Sequence, residues 1–211
     1  MESCLLLGTC IILFWLGGPI AVTLLASSLV TGLYMGIDPA ALIQRMIGGL
    51  NTFSLLAIPF FILAGEIMNE GGISLRLINL ANVIIGKIRG GLAMVNVLAS
   101  TFFGGISGSA LADTSSIGSV MIPMMKKQGY DADYSVAVQV SSSIQGILIP
   151  PSHNMVIYST AAGGVSVGAL FMGGLVPGLL LGLICMMTTY AIAVKRNYPK
   201  GEPVAKEEIP K

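Results

Sequence analysis

Glycine and serine crowd one short stretch, Gly104-Gly105-Ile106-Ser107-Gly108-Ser109, and it carries no charge. Ser107 and Ser109 supply hydroxyl oxygens, while Gly105 and Gly108 let backbone carbonyls converge on a hard, oxygen-preferring cation. Sodium suits such a set better than a transition metal. The plainer alternative is that small residues here only let helices pack closely. Asp113 follows four residues later. It is the only charge between Gly91 and Met125, and a lone ionisable group in an apolar arm is functional by default, unless it simply pairs with a nearby backbone donor. A second polar cluster runs from Ser141-Ser142-Ser143 through Gln145-Gly146 to Pro150-Pro151-Ser152-His153-Asn154. That density of polar groups exceeds what a plain span needs, although a structural kink with satisfied hydroxyls would also use it. His153 is the only histidine, so one chain has no multi-histidine metal site. It reads as a hydrogen-bonded turn residue. Gly105-Ile106-Ser107-Gly108 also fits a G-x-S-G nucleophile pattern, with His153 as the candidate base of an intramembrane serine protease. That chemistry requires the two side chains to be within hydrogen-bond reach, and a Pro-Pro turn gives no independent reason to expect it.

These residues sit in a chain built for lipid. Of 211 residues, 54% are hydrophobic and 10% charged, with mean hydropathy +0.85, whereas soluble domains carry about 25% charged residues. No Asp, Glu, Lys or Arg occurs from Tyr134 to Val194, and about 20 apolar residues span a bilayer. A net charge of +1 and a sign-alternating tail from Asn197 offer no stripe for nucleic acid. Cys4, Cys10 and Cys185 are odd in number and lie in apolar stretches, so packing is their expected role. Glu2 replaces the basic start of a signal peptide and the apolar run continues well beyond it, which reads as mature membrane segment.

The elements follow from apolar runs and their breakers. Cys4 to Met35 is interrupted at Gly17-Gly18-Pro19, so a kinked span or two short segments are expected. Asp38-Pro39 reads as an N-cap with proline at the first helical position. It opens a short amphipathic helix with Leu42, Ile43, Met46, Ile47 and Leu50 on one face. Phe53 to Met68 reads as a span. Ile73, Leu77, Leu80, Ile84 and Ile88 recur at helical spacing in an amphipathic helix. Gly91–Phe103 and Ala110–Met125 are two apolar arms joined by residues 104–109. Arg89 and Lys126-Lys127 place both outer ends in the cytoplasm, which either a re-entrant hairpin or two full spans would satisfy. The Gly/Ser joint favours the hairpin. Asp131 and Asp133 cap and charge the next helix, running through Val136 and Val140 toward Ile149. Pro150-Pro151 breaks it, Asn154 to Ala162 resumes, Gly163-Gly164 turns, and Ser166 to Val194 returns, kinked at Pro177 and ending at cytoplasmic Lys195-Arg196. Residues 1–89 thus carry N-terminal spans and amphipathic helices, and 90–163 the hairpin and the broken helix. Residues 164–196 form the return helix and 197–211 a polar tail.

Unwound backbone at membrane depth survives only where protein or water satisfies it. In transporters, broken half-helices aim positive N-terminal ends at anions, and freed carbonyls bind cations.

At these segments the chain resembles the large membrane subunit, DctM-like, of the tripartite ATP-independent periplasmic (TRAP) transporters, the dicarboxylate and sialic acid uptake systems of bacteria. The matching motifs are Leu55-Leu56-Ala57-Ile58-Pro59-Phe60-Phe61 with Ala64-Gly65, Gly90-Gly91-Leu92-Ala93, Ser107-Gly108-Ser109-Ala110 with Ala112-Asp113, and Ile149-Pro150-Pro151-Ser152. Leu170-Phe171 and Val176-Pro177-Gly178 fit as well. The resemblance covers nearly the whole chain apart from the tail. It implies an all-α, multi-span bundle with a re-entrant hairpin and a Pro-Pro-broken helix, in a multi-pass protein of the bacterial inner membrane. The implied activity is elevator-type, sodium-coupled uptake of carboxylates, with no cofactor beyond the coupling ion. A periplasmic binding protein and a small four-helix membrane subunit are the implied partners. Sodium and substrate contacts are implied around Gly105, Ser107, Gly108, Ser109 and Asp113, and around Gly146, Pro150, Pro151 and Ser152.

The chain departs from the pattern in length. Family members carry an inverted repeat with a second hairpin and a second Pro-Pro break, and only one of each appears here. A truncated product, a piece of a split gene and a half that needs a partner polypeptide are the alternatives. A non-transporting assembly or channel subunit is the competing function.

Overall fold

The computed structural model describes residues 2–51 and 53–201 and, among them, is helical with no strands. It forms two compact units, residues 1–52 and 53–211.

In the first unit, α1 (Glu2–Trp15) and α2 (Ile20–Tyr34) are separate helices packed on each other. Of the two expectations for this stretch, the structure takes the two short segments. Gly17 adopts φ +78°, a conformation that glycine reaches without steric cost, and Gly18 N–H closes on Leu13 O at 3.0 Å. Buried positions on α2 are Thr23, Ser27, Thr31 and Gly32, while Leu24, Leu25 and Leu33 face outward. Asp38 caps α3 (Pro39–Leu50) by accepting from Ala40 N–H at 2.9 Å, and Leu42 packs on Gly32.

The second unit comprises α4 (Phe53–Glu70), α5 (Ile73–Ile85), α6 (Gly91–Ser107), α7 (Ala110–Lys127), α8 (Ala132–Ser143), α9 (Gln145–Leu148), α10 (His153–Ala161) and α11 (Val167–Lys195). Helix α6 is its centre. It is apolar nearly all round, as a helix enclosed on every side must be, and it packs against α5, α7, α8, α9 and α11. Two details differ from the sequence expectation. Helix α5 buries Ser74, Ile78 and Ala81, whereas Leu80, Ile84 and Ile88 of the expected apolar row face outward. The joint between the two arms shrinks to Gly108-Ser109 because α6 continues through residues 104–107.

Polarity runs outside-in. Helix α8 encloses Ser135, Gln139 and Ser142 and exposes Val136 and Val140. Helix α11 buries Gly174, Gly178 and Gly182 and exposes Leu179, Leu183 and Met187. Water would reward the reverse, but lipid tails are as apolar as leucine and small residues make the helix interfaces there. Helix α11, with 29 residues, is long and apolar enough to cross a membrane.

At one end the chain folds back after α11. Tyr198 is 5% exposed, with its ring centroid 4.6 Å from that of Tyr130 and 5.0 Å from that of Tyr134. Its hydroxyl donates to Asp131 Oδ2 at 2.6 Å. Gly90 N–H donates to Pro199 O at 3.1 Å, and the backbones of Arg89 and Lys200 pair as an isolated antiparallel bridge. Asp131 stands at the N-cap of α8, but its carboxylate pairs with Arg196 Nη1 at 3.0 Å instead of capping. Arg196 also reaches Asp133 at 3.4 Å. This clasp joins both outer ends of the α6–α7 pair to the end of the return helix. The remaining tail, 202–211, lies outside the described residues.

Candidate functional site

The opposite end of the α6–α7 pair holds the candidate site. Helix α6 has 17 residues, and residues 132–148 of α8 and α9 rise about as far, roughly 25 Å at 1.5 Å per residue. The turn at 108–109 and the interruption at 149–152 therefore stand at one depth, and they touch.

Glycine makes the contact possible. Gly108 ends α6 at φ +63°, its N–H bonded to Gly104 O at 3.0 Å. A Cβ on Gly108 would collide with the Pro151 carbonyl and stand 3.1 Å from Ser152 Cα. One on Gly104 would stand 2.8 Å from Gly146 Cα, and one on Gly146 would stand 3.3 Å from the Ser109 carbonyl. Gly105 lies inside the last turn of α6, where a Cβ would meet Ile149 Cγ2 at 3.4 Å and Pro150 O at 3.9 Å. The Pro150-Pro151 peptide is cis.

Two helices end and two begin around this contact. The last four carbonyls of a helix and its first four N–H groups have no partner within it. The ends of α6 and α9 thus supply acceptor oxygens, and the starts of α7 and α10 supply donors. Ser109 caps α7 by accepting from Ala112 N–H at 3.3 Å, and Ser107 Oγ accepts from Ser109 N–H at 3.4 Å. Ser152 precedes α10, wholly enclosed, and its hydroxyl has no hydrogen-bond partner among the described residues. Eight of the nine residues singled out from the sequence, Gly105, Ser107, Gly108, Ser109, Gly146, Pro150, Pro151 and Ser152, thus lie in or beside one junction.

Asp113 stands apart. One turn into α7, it is fully buried and turned toward α8, where Gln139 Nε2 donates to its Oδ2 at 3.4 Å and to its backbone carbonyl at 3.3 Å. Ser100 of α6 approaches the same carboxylate and accepts from Ser142 Oγ at 3.2 Å. Asp113 Oδ1 and Gln139 Oε1 have no hydrogen-bond partner among the described residues. Gln139 and Ser100 escaped the sequence reading. The available signal was polar residues recurring at helical spacing in apolar helices, Asn96 and Ser100 on one, Ser135, Gln139 and Ser142 on the other. The stripe Gly174, Gly178 and Gly182 was missed too. It lets α9 and Ile149 settle on α11, with Gln145 against Gly182 and Ile149 against Gly178. Gln145 Oε1 accepts from Thr101 at 2.6 Å, tying α9 to α6.

A cavity of about 630 Å³ opens on the other side of the turn, where Ser107 and Ser109 line it together with Glu66 and His153. The expectation that His153 is a hydrogen-bonded turn residue does not hold: it opens α10, and its Nδ1 is enclosed with no partner among the described residues. No hydrogen bond joins Ser107 to His153, so the nucleophile–base contact of a serine protease is not formed.

The family model for the tripartite ATP-independent periplasmic transporter, DctM component, matches residues 7–211. YgiK of Salmonella typhimurium, described as uncharacterized, is 44% identical over 94% of this chain and 46% of its own length. The sialic acid TRAP transporter large permease protein SiaM of Vibrio cholerae is 44% identical over 77% of this chain and 38% of its own. The 2,3-diketo-L-gulonate TRAP transporter large permease protein YiaN of Escherichia coli is 37% identical over 98% of this chain and 48% of its own. The chain spans about half the length, or less, of these relatives. They are named as transporter permeases where a role is named, which argues against an enzyme.

Proposed function

Because the chain belongs to the DctM component of the TRAP transporters, an integral membrane family, we propose that it forms one inverted-repeat half of an elevator-type permease. This permease would import organic acids such as C4-dicarboxylates or sialic acid with sodium. It lies in the bacterial inner membrane, takes substrate from a periplasmic binding protein, and assembles with a small four-helix membrane subunit and a second half of the large subunit.

In this reading α6 and α7 form a re-entrant hairpin. Helices of 17 and 18 residues rise about 25 and 27 Å, short of the roughly 43 Å of the 29-residue return helix. Helices α8 to α10 act as one span broken at Pro150-Pro151. The observation that carries the proposal is the meeting of hairpin turn and break at one depth through Gly104, Gly108 and Gly146. Water-excluded backbone there is tolerated only where something satisfies it. Sodium takes oxygens around Gly105, Ser107, Gly108, Gly146 and Pro150, and the substrate carboxylate takes donors near Ser109, Pro151 and Ser152, at the positive ends of α7 and α10. Asp113 contributes the negative charge that favours a cation close behind.

The test is labelling of Ser107→Cys by a thiol reagent in a background lacking Cys4, Cys10 and Cys185. Sodium slows labelling and potassium does not. Equal rates in the two salts contradict the sodium site.

A further inference from the structure

The cavity beside the hairpin turn contains two titratable side chains that the ion site does not use. Glu66 projects from α4 and His153 from the first turn of α10, and Ser109, Ser115 and Ser116 line the same space. With Nδ1 of His153 shut in and unpartnered, Nε2 is the ring nitrogen through which the imidazole meets a ligand. It lies beside the start of α10, where partial positive charge already favours an anion. Glu66 presents the opposite chemistry. A carboxylate accepts hydrogen bonds and repels a second carboxylate. The wall is completed by Phe61 and Leu111, apolar surface on which a carbon skeleton can lie, and ligand sites of several hundred Å³ combine such walls with few polar groups.

Resting on the permease reading above, we propose that this cavity is the substrate subsite and selects a hydroxylated monocarboxylate over a dicarboxylate. His153 donates from Nε2 to the substrate carboxylate, and Glu66 accepts from a hydroxyl at the far end. Ser109 stays with His153 at the carboxylate, and the Ser115 and Ser116 hydroxyls donate or accept along the chain between the two ends. A dicarboxylate of equal length brings its second charge against Glu66.

The chain's single histidine makes the test direct. The purified chain is labelled with ¹⁵N-histidine in sodium-containing buffer and titrated with three six-carbon probes: gluconate, adipate and sorbitol. Calorimetry runs in parallel. Gluconate binds and moves the imidazole resonances, sorbitol does neither, and adipate binds at least tenfold more weakly. His153→Ala weakens gluconate at least tenfold, His153→Gln, which keeps a donor, weakens it less, and Glu66→Gln narrows the gap between gluconate and adipate. If gluconate binds by calorimetry but leaves the histidine signal unmoved, and His153→Ala keeps its affinity, the role of His153 is overturned while the permease reading stands. If adipate binds more tightly than gluconate, the assigned substrate class is wrong. If neither carboxylate binds, the subsite is overturned, and the permease reading is decided separately by the sodium protection of Ser107→Cys.

Discussion

The two ends of the α6–α7 pair bring distant segments together by opposite means. At the clasp, side chains make the join: Tyr130 stacks with Tyr134, Tyr198 tilts against both, and Tyr198 and Arg196 donate to Asp131. At the hairpin turn, backbone meets backbone across Gly104, Gly108 and Gly146, and buried polar groups such as Ser152 Oγ remain unpartnered. Leaving a buried polar group unpaired costs about 1–3 kcal/mol, so such groups mark a place built for something else to satisfy. One end is knit by side-chain pairs that fix the fold, with the Tyr130 hydroxyl left unpartnered among the described residues; the other joins backbone to backbone and leaves the Ser152 hydroxyl in reserve beside the turn. Stability and ligand binding are therefore expected to separate along the length of one helix pair.

Tyr198→Ala tests the separation most severely. Truncating a buried aromatic costs about 3–5 kcal/mol, read as lowered thermal stability in detergent, while sodium protection of Ser107→Cys persists below the new Tm. If protection disappears while the variant is still folded, the two ends are not separable. Gly108→Ala acts in the opposite sense. The left-handed conformation costs a residue with a Cβ about 1–2 kcal/mol and the collision with Pro151 about 1–3 more, and sodium protection is lost even where the variant remains folded. Gln139→Leu removes one donor from the buried Asp113 carboxylate and leaves it to Ser100, at about 1–3 kcal/mol. Its unfolding curve shows whether the cluster behind the turn belongs with the structural end or with the ligand end.

The smallest effect is electrostatic and lies at the clasp. The Tyr198 hydroxyl, and then the Arg196 guanidinium, hold the Asp131 carboxyl below its ordinary value of 3.8. With the folded value below the unfolded one, this stabilisation is complete above the ordinary aspartate range and is lost as pH falls through the folded value. Asp131→Asn removes that acid sensitivity and changes stability little at neutral pH, because the pair is exposed to solvent. Unfolding curves at pH 3 and pH 7 check this.

The same contrast explains what the sequence made legible. Breakers announced themselves: Gly17-Gly18-Pro19, Asp38-Pro39 and Pro150-Pro151 interrupt apolar runs, and each marks a helix boundary in the structure. The hairpin residues were visible because glycine and serine are conspicuous among leucines. Which face of a helix turns inward was harder, since in lipid the apolar side faces out: Val136 and Val140 are exposed and Gln139 is buried. Helix α5 shows the same difficulty, burying Ser74 and Ala81 rather than Leu80 and Ile84. The clasp depends on partners more than 60 residues apart, Asp131 and Tyr198, and no local pattern encodes that pairing.

Whether the hairpin turn and the helix break together hold sodium is decided by equilibrium binding of ²²Na⁺ to the purified chain. Saturable binding is expected, displaced by unlabelled sodium but not by potassium, and lost in a Ser107→Ala, Ser109→Ala double variant that remains folded, its stability lowered by about 1 kcal/mol through the missing cap of α7. Non-saturable binding, or binding that survives the double variant, contradicts the sodium site.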